Sequence, residues 1–301
     1  MAPRQQIPDL SSFSSKEVAA FVSSFDTVLT DCDGVLWMGD QQIPGSIETI
    51  KKLDEMGKKI FFISNNNLLT VEKYLMKIQA MGYNATKEQI LIPGVTIAAY
   101  LKSVDFNKKA YVIGTRSLIA TLKEAGIDCH GDEPELAETS LSGFKNQITS
   151  LDSSYGAVVV DYDPNINYLK MMKAVVLLKK PDCIFVAGAT DETVMFRSDL
   201  KMIGPGSFLS IMETVSEKNA VILGKPGLFI KDVVSSRHSI VPSKTLMIGD
   251  MVKQDILFGN RCGFQTILVL SGVCTLDDAS DDPEYKPRYY IQKLGDLLSK
   301  L

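Results

Sequence analysis

The chain has 301 residues, of which 45% are hydrophobic and 23% are charged, so it has enough apolar material for one large or two medium globular domains. The 21 glycines and 12 prolines are near average abundance, which disfavours collagen-like, low-complexity and disordered chains. Lys and Arg number 32 against 36 Asp and Glu, and this balance gives no overall attraction for nucleic acid.

The cysteines and the N-terminal residues carry information about the compartment. The five cysteines are odd in number and far apart, which predicts reduced thiols and not a disulfide framework. No window approaches the roughly 18 to 20 apolar residues of a membrane span, and the first 21 residues contain no signal-peptide hydrophobic region. We therefore expect a cytoplasmic protein without a membrane partner.

Short β-rich apolar runs alternate along the chain with longer segments of helical period, which is typical of βα units around a mostly parallel sheet. A first helix is predicted after Ser14, which has capping-box spacing to Glu17. The predicted strands are residues 27–30, 60–63, 110–113, 157–160, 184–187, 220–223, 245–248, 266–270 and 289–291. The predicted helices between them are residues 46–56, 70–81, 116–125, 167–179, 207–215 and 228–235.

Distinctive polar residues follow four of the predicted strands. In chain order they are Asp31, Asp33 and Gly34, then Ser64 and Asn65, then Lys225, and finally Asp250 and Asp255. In open parallel sheets, ligands bind in the crevice beyond the carboxyl ends of the strands. We therefore expect these residues to belong to one site.

The residue types indicate phosphoryl chemistry. Two carboxylates one residue apart, Asp31 and Asp33, allow one to attack while the other moves protons. Asp250 offers a further oxygen ligand of the kind that Mg²⁺ prefers. A lysine and a hydroxyl, Lys225 and Ser64, would neutralise and hold a phosphoryl group.

Four motifs in this order resemble the haloacid dehalogenase superfamily of phosphotransferases. They are DCDGVLW at 31–37, ISNN at 63–66, GKP at 224–226 and GDMVKQDILFGN at 249–260. More narrowly, most of the chain resembles the p-nitrophenylphosphatase-like branch, which contains phosphoglycolate phosphatase and pyridoxal phosphatase (chronophin). This resemblance implies an α/β fold with a Rossmann-like parallel-sheet core and a large inserted α/β cap of the C2 type.

The resemblance implies catalytic and metal-binding roles for the aspartates. Asp31 would be the nucleophile that forms an aspartyl-phosphate, and Asp33 would be the general acid and base. Asp250 would bind Mg²⁺ together with the Asp31 carboxylate and the Asp33 carbonyl, while Asp255 would support the site from nearby.

The resemblance implies that other residues, at positions that match the family motifs, bind the phosphate. Ser64 and Asn65 would hold phosphate oxygens, and Lys225 would offset the charge of the phosphate and the nucleophile. Gly34 lets the backbone come close to an anion.

A long insertion separates two of the motifs. The roughly 160 residues between Ser64 and Lys225 are far more than a βα loop needs. In the family such an insertion is a separate cap that closes over the site and selects the substrate. We expect this cap at 106–212, inserted into a discontinuous core of residues 1–105 and 213–301.

The cap carries two further expectations. Residues 187–197 are predicted to form a loop that contacts the substrate, with Asp191, Met195 and Arg197 as candidates. The resemblance also implies homodimerisation through the cap.

The chain departs from the family pattern at several positions. Relatives usually continue the second motif with Ser or Thr and then basic residues, often have an Asn in the cap loop, and commonly have Arg and an acid in the fourth motif. The residues found here are Asn67, Leu68 and Leu69, then Ala189, and then Met251 and Lys253. These changes bear on the substrate more than on the chemistry.

We therefore expect a Mg²⁺-dependent phosphomonoesterase that acts on a small phosphometabolite, with phosphoglycolate, pyridoxal phosphate and sugar or nucleotide phosphates all open. Two alternatives remain. A catalytically weak or inactive phospholigand-binding paralogue is suggested by the SNNN stretch and Lys253. A phosphatase acting on phosphoprotein is disfavoured by the large cap.

Overall fold

The computed structural model describes residues 7–131, 133–197 and 200–301. Its helices are α1 Ser15–Ser23, α2 Ser46–Glu55, α3 Val71–Ala80, α4 Pro93–Ser103, α5 Arg116–Glu124, α6 Leu141–Thr149, α7 Tyr168–Leu178, α8 Pro205–Ser216, α9 Phe229–Arg237 and α10 Leu257–Arg261. Its strands are β1 Thr27–Thr30, β2 Trp37–Met38, β3 Gln41–Gln42, β4 Lys59–Ile63, β5 Ile90–Leu91, β6 Lys109–Ile113, β7 Cys129–His130, β8 Tyr155–Val160, β9 Ile184–Ala187, β10 Thr193–Arg197, β11 Leu200–Ile203, β12 Val221–Ile222, β13 Thr245–Gly249, β14 Gln265–Val269 and β15 Tyr289–Ile291. These elements form two compact units.

The first unit comprises the described residues up to Ser64, together with Val71–Leu91 and Ile230–Leu301. Its main sheet has the strand order β15-β14-β13-β1-β4-β5, with every pairing parallel. All residues of β1 are buried, as expected for a central strand covered on both faces. The capping box predicted at the start of α1 is present, with the Ser14 amide donating to Glu17 Oε2 at 2.8 Å.

The register of this sheet decides which residues meet at its edge. Thr30, the last residue of β1, lies opposite Ile248 of β13 on one side and Phe62 of β4 on the other. The three parallel strands therefore end at nearly the same level. The residues that follow them emerge together at one edge of the sheet.

The second unit comprises Asn65–Thr70 and Ile92–Phe229. Its sheet has the parallel order β12-β9-β8-β6-β7, and β10 and β11 form an antiparallel hairpin beside it. Alternate residues of the strands face opposite sides, where α4 and α5 cover one face and α7 and α8 cover the other. The expected α/β fold with parallel sheets is confirmed.

Every predicted strand and helix overlaps an observed one, but some elements are absent from the sequence-based prediction. The helices α4, α6 and α10 and the short strands β2, β3, β5, β7 and β11 are not among the predicted elements. Part of the expected loop 187–197 is the strand β10, because it pairs with β11.

The unit boundaries differ from the predicted cap limits of 106 and 212. The second unit takes in α4, because Ile97 and Leu101 of that helix pack with Leu118 of α5 against the sheet. It also takes in β12, because Val221 pairs with Val186 of β9. Lys225, which follows β12, therefore lies in the second unit and not in the first.

Two further expectations from the sequence concern the reduced state of the cysteines and the lack of a membrane-spanning segment. All five cysteines are free thiols, and four of them are buried. Among the described residues, no helix combines the length and apolar composition needed to cross a membrane.

Candidate active site

Three buried carboxylates of the first unit come together at the carboxyl ends of β1 and β13. One oxygen from each of Asp31, Asp250 and Asp255 lies within 4.8 Å of the others. The amide of Asp31 donates to the carbonyl of Ile248 at 2.8 Å, so the parallel pairing of the strands continues into the site. Like charges this close repel one another, and the oxygen donors are of the type that binds a hard divalent cation.

Backbone groups hold the Asp250 carboxylate in place. The amide of Val273 donates to Asp250 Oδ2 at 2.8 Å. A Cβ atom at Gly34 or at Gly272 would overlap with this carboxylate, and Gly34 also has a φ of +81°. The structure thus places Gly34 against the acidic cluster, where only a residue without a side chain fits.

A π-helical turn, Val252–Ile256, brings Asp255 back towards Asp250. The amide of Met251 donates to Asp255 Oδ2 at 2.9 Å, and the amide of Asp255 donates to the carbonyl of Met251 at 2.8 Å. Wide turns of this kind are rare and often lie at functional sites. Asp250 and Asp255 are five positions apart in the sequence, and this turn makes them close neighbours in the site.

Asp33 lies in the turn after β1 and is half-buried. Its Oδ1 accepts a hydrogen bond from the indole nitrogen of Trp37 at 2.9 Å. The carbonyl of Cys32 accepts from the amide of Leu36 at 2.8 Å, and Gly34 donates to the carbonyl of Trp37 at 2.7 Å. These bonds give the turn, and with it the Asp33 carboxylate, a defined position.

Ser64 follows β4 and is paired with a tyrosine that the sequence analysis missed. The hydroxyls of Ser64 and Tyr74 lie 3.0 Å apart. Burial raises the pKa of Tyr74 well above 10, and the charges of Asp33 and Cys32 raise it further, so its hydroxyl stays neutral. Tyr74 and Ile78 are the buried residues of α3, and this i, i+4 spacing was the available sequence signal.

Asn65 and Lys225 form a closed pair of hydrogen bonds in the second unit. Asn65 Oδ1 accepts from the backbone amide of Lys225 at 2.7 Å, and Asn65 Nδ2 donates to the carbonyl of Lys225 at 2.9 Å. The Lys225 side chain is 2% exposed. The side-chain carboxamide of Asn65 therefore holds the backbone of Lys225 in position.

Asn67, one of the departures from the family pattern, is buried and bonded to Asp161. Its Nδ2 donates to Asp161 Oδ2 at 2.6 Å, and its Oδ1 accepts from the amide of Gly94 at 3.1 Å. Sequence reasoning did not single out Asp161. The signal was its position, because it directly follows the predicted strand 157–160.

The cap residues proposed for the substrate are only partly described. Asp191 is half-buried just before β10, and its carbonyl accepts from the amide of Gly206 at 2.9 Å. The side chains of Met195 and Arg197 lie outside the described part of the chain. Their contact with the substrate stays a prediction.

Comparisons with known proteins agree with this geometry. The family model described as haloacid dehalogenase-like hydrolase matches residues 28–128, and a model described as HAD-hydrolase-like matches residues 222–297. These two stretches carry all the motif residues at the ends of β1, β4, β12 and β13.

Similarity to individual proteins covers nearly the whole chain. Glycerol-3-phosphate phosphatase from Rattus norvegicus is 33% identical, over 96% of this chain and 94% of the relative. A chloroplastic phosphoglycolate phosphatase, 1A from Arabidopsis thaliana, is 33% identical over 92% of this chain and 78% of the relative. Among solved structures, the p-nitrophenyl phosphatase from Archaeoglobus fulgidus superposes with a TM-score of 0.78, at 25% identity, over 92% of this chain and 100% of that one. The chain therefore belongs to the haloacid dehalogenase-like hydrolases, and it is a phosphatase of that family.

Proposed function

We propose that the chain is a Mg²⁺-dependent phosphomonoesterase that hydrolyses a small phosphometabolite through an aspartyl-phosphate on Asp31. The observation that carries this proposal is the convergence of the buried Asp31, Asp250 and Asp255 carboxylates at one edge of the sheet of the first unit. A nucleophile beside two further carboxylates is suited to a reaction in which a cation balances the charge of both the enzyme and the phosphate.

Two carboxylates, Asp31 and Asp33, carry out the reaction in two steps. In the first step an oxygen of Asp31 attacks phosphorus, the ester P–O bond breaks, and Asp33 gives its proton to the leaving oxygen. In the second step water attacks the phosphorus of the aspartyl-phosphate and gives its proton back to Asp33, which releases inorganic phosphate and restores both groups. The hydrogen bond from Trp37 Nε1 to Asp33 Oδ1 orients the carboxylate for this exchange.

Asp31 and Asp250, with the carbonyl of Asp33, would hold Mg²⁺. Bound there, the ion supplies positive charge that neutralises and orients the phosphate. Asp255 supports this set by holding the backbone of Met251 next to Asp250.

The phosphate oxygens would be bound by Ser64, Asn65, Lys225 and the backbone at Gly34. The neutral Tyr74 hydroxyl, 3.0 Å from Ser64 Oγ, orients the serine. Lysine provides a compact positive charge suited to a phosphoryl group.

The substrate class follows from the relatives. Proteins named glycerol-3-phosphate phosphatase and phosphoglycolate phosphatase are both 33% identical to this chain. We propose a substrate of similar size, with pyridoxal phosphate as a further candidate, selected by Asp191, Met195 and Arg197 in the cap. Homodimerisation through the cap and a cytoplasmic location belong to the same proposal.

Hydrolysis of p-nitrophenyl phosphate with and without Mg²⁺ tests the proposal. Turnover that requires Mg²⁺ and is lost in Asp31→Asn is the expected result, since this variant keeps the shape and removes the nucleophile. Asp232→Asn is the matched control, because Asp232 is exposed on α9 and should leave turnover unchanged.

A panel of glycerol-3-phosphate, phosphoglycolate and pyridoxal phosphate then ranks substrates by kcat/KM. A folded wild type that hydrolyses none of these compounds would replace the catalytic proposal with that of a phospholigand-binding protein.

A further inference from the structure

Asp161 is a buried carboxylate that the proposed reaction does not use. It follows β8 in the second unit and is 1% exposed. Its partners all donate to it: the amide of Tyr162 at 2.5 Å, Asn67 Nδ2 at 2.6 Å and the amide of Ala189 at 3.4 Å. A Cβ at Gly188 would overlap with Oδ2 of this carboxylate, so the chain is also shaped around it.

Asn67 links Asp161 to the segment Asn65–Thr70. Besides its bonds to Asp161 and Gly94, its carbonyl accepts from Thr115 Oγ1 at 2.7 Å. The next residue, Leu68, accepts from Ser117 Oγ at 2.9 Å. The segment is therefore attached to the end of β8 and to the starts of α4 and α5.

The first residue of this segment, Asn65, is hydrogen-bonded to the backbone of Lys225. Asn65 makes two hydrogen bonds to the Lys225 backbone, at 2.7 and 2.9 Å. Only one residue separates Asn65 from Asn67, so a displacement of the Asn67 backbone would also displace Asn65.

We propose that Asp161 is a positioning residue which, through Asn67, sets the placement of Asn65 and of the Lys225 backbone for phosphate binding. This inference rests on the proposed function, because it takes Asn65 and Lys225 as phosphate-binding residues. In this proposal Asp161 acts through Asn67 and is assigned no contact with the substrate.

The protonation of Asp161 agrees with a role beyond packing. Its pKa is raised from 3.8 to about 7, mainly by burial; the three hydrogen bonds oppose this rise and the charge of Asp191 adds to it. A carboxyl group with such a displaced pKa is more often found at functional sites than in ordinary packing.

The substitution Asp161→Asn tests the proposal with little change of shape. The carboxamide has one acceptor oxygen where the carboxylate has two, so its NH₂ group must face either Asn67 Nδ2 or the amide of Tyr162. In both orientations one N–H group faces another, and the end of β8 must shift. We expect kcat/KM for p-nitrophenyl phosphate to fall at least about tenfold, because small misplacements of binding groups have large effects on rate. Asn67→Ser removes the side-chain amide that links Asp161 to the amide of Gly94 and should give a similar loss.

The decisive measurement repeats Asp161→Asn in a Lys225→Met background. If Asp161 acts through the lysine, its substitution should have little further effect there, since coupled residues are not additive. An equal fold-loss in both backgrounds, or no loss in the wild-type background, would overturn the inference. An inactive wild type would overturn the proposed function and the inference with it, so the two failures are distinguishable.

Asp163→Asn is the matched control. Asp163 lies two residues from Asp161, is also buried, and pairs with Lys170 Nζ at 2.8 Å. Its substitution should lower the unfolding midpoint and leave kcat/KM of the folded enzyme for p-nitrophenyl phosphate unchanged. A loss of kcat/KM equal to that of Asp161→Asn would show a structural effect common to both sites and would contradict the inference.

Discussion

Glycine at position 34 is required for two independent physical reasons. Its φ of +81° lies in the left-handed region, and a Cβ would overlap with the Asp250 carboxylate. We expect Gly34→Ala to abolish phosphatase activity and to lower the free energy of unfolding by more than the about 1 kcal/mol typical of a strained backbone alone. Urea unfolding and p-nitrophenyl phosphate turnover measure the two effects.

Gly39 provides a control that separates the effect of backbone strain from the effect of contact with Asp250. Gly39 also has a positive φ, of +59°, but a Cβ there would meet nothing within 4 Å. Gly39→Ala should therefore cost only the backbone strain and leave turnover intact. Equal losses in the two variants would mean that contact with Asp250 is unimportant.

The raised pKa of Asp161 predicts that the stability of the fold depends on pH. Its pKa is raised by burial from 3.8 to about 7, so between these values the folded state binds more protons than the unfolded state. The free energy of unfolding should therefore fall as the pH rises through this window, by about 4 kcal/mol at about 1.4 kcal/mol per pH unit. Asp161→Asn should lose this slope in urea unfolding measured between about pH 4 and about pH 8. The prediction fails if variant and wild type show the same slope.

At the level of elements, α3 contributes a residue to the site through its buried face. Tyr74→Phe removes the partner of the Ser64 hydroxyl and keeps the packing of the ring. A hydrogen bond of this kind contributes about 1 kcal/mol, so kcat/KM should fall about fivefold. Tyr83→Phe is the control, since the Tyr83 hydroxyl accepts from Gln89 instead. An unchanged kcat/KM in Tyr74→Phe would mean that Ser64 needs no orientation by this hydroxyl.

The elements that sequence patterns missed have identifiable causes. The helix α4 begins at Pro93 and is apolar around much of its surface, so it lacks the one-sided pattern that predicts a helix. The strand β10 exists because it pairs with β11, and such pairing is not visible in the residues of one strand alone.

At the level of the whole molecule, Mg²⁺ should stabilise the fold. A ligand that binds only the folded state adds about 2.7 kcal/mol to the free energy of unfolding at about 100 times its Kd. We expect the thermal midpoint to rise with Mg²⁺ in the wild type and to stay constant in Asp250→Asn, which alters the acidic cluster. Scanning calorimetry with Mg²⁺ and with a chelator measures this, and a shift retained in the variant would place the ion elsewhere.

The amino-acid sequence by itself determined the fold class and the candidate residues of the first unit. Apolar runs of strand length followed by Asp31, Ser64 and Asp250 were enough, because residues after neighbouring parallel strands must emerge at one edge. The family resemblance pointed to the same residues.

Only the tertiary structure decided which side chains support these residues. Pairings such as Asn67 with Asp161 and Asn65 with Lys225 join residues 94 and 160 positions apart, and no local pattern encodes such contacts. The limits of the second unit were decided in the same way, because α4 and β12 join it through long-range packing and strand pairing. Local periodicity reports only the environment of one element, whereas the partners of a side chain depend on how distant elements are brought together.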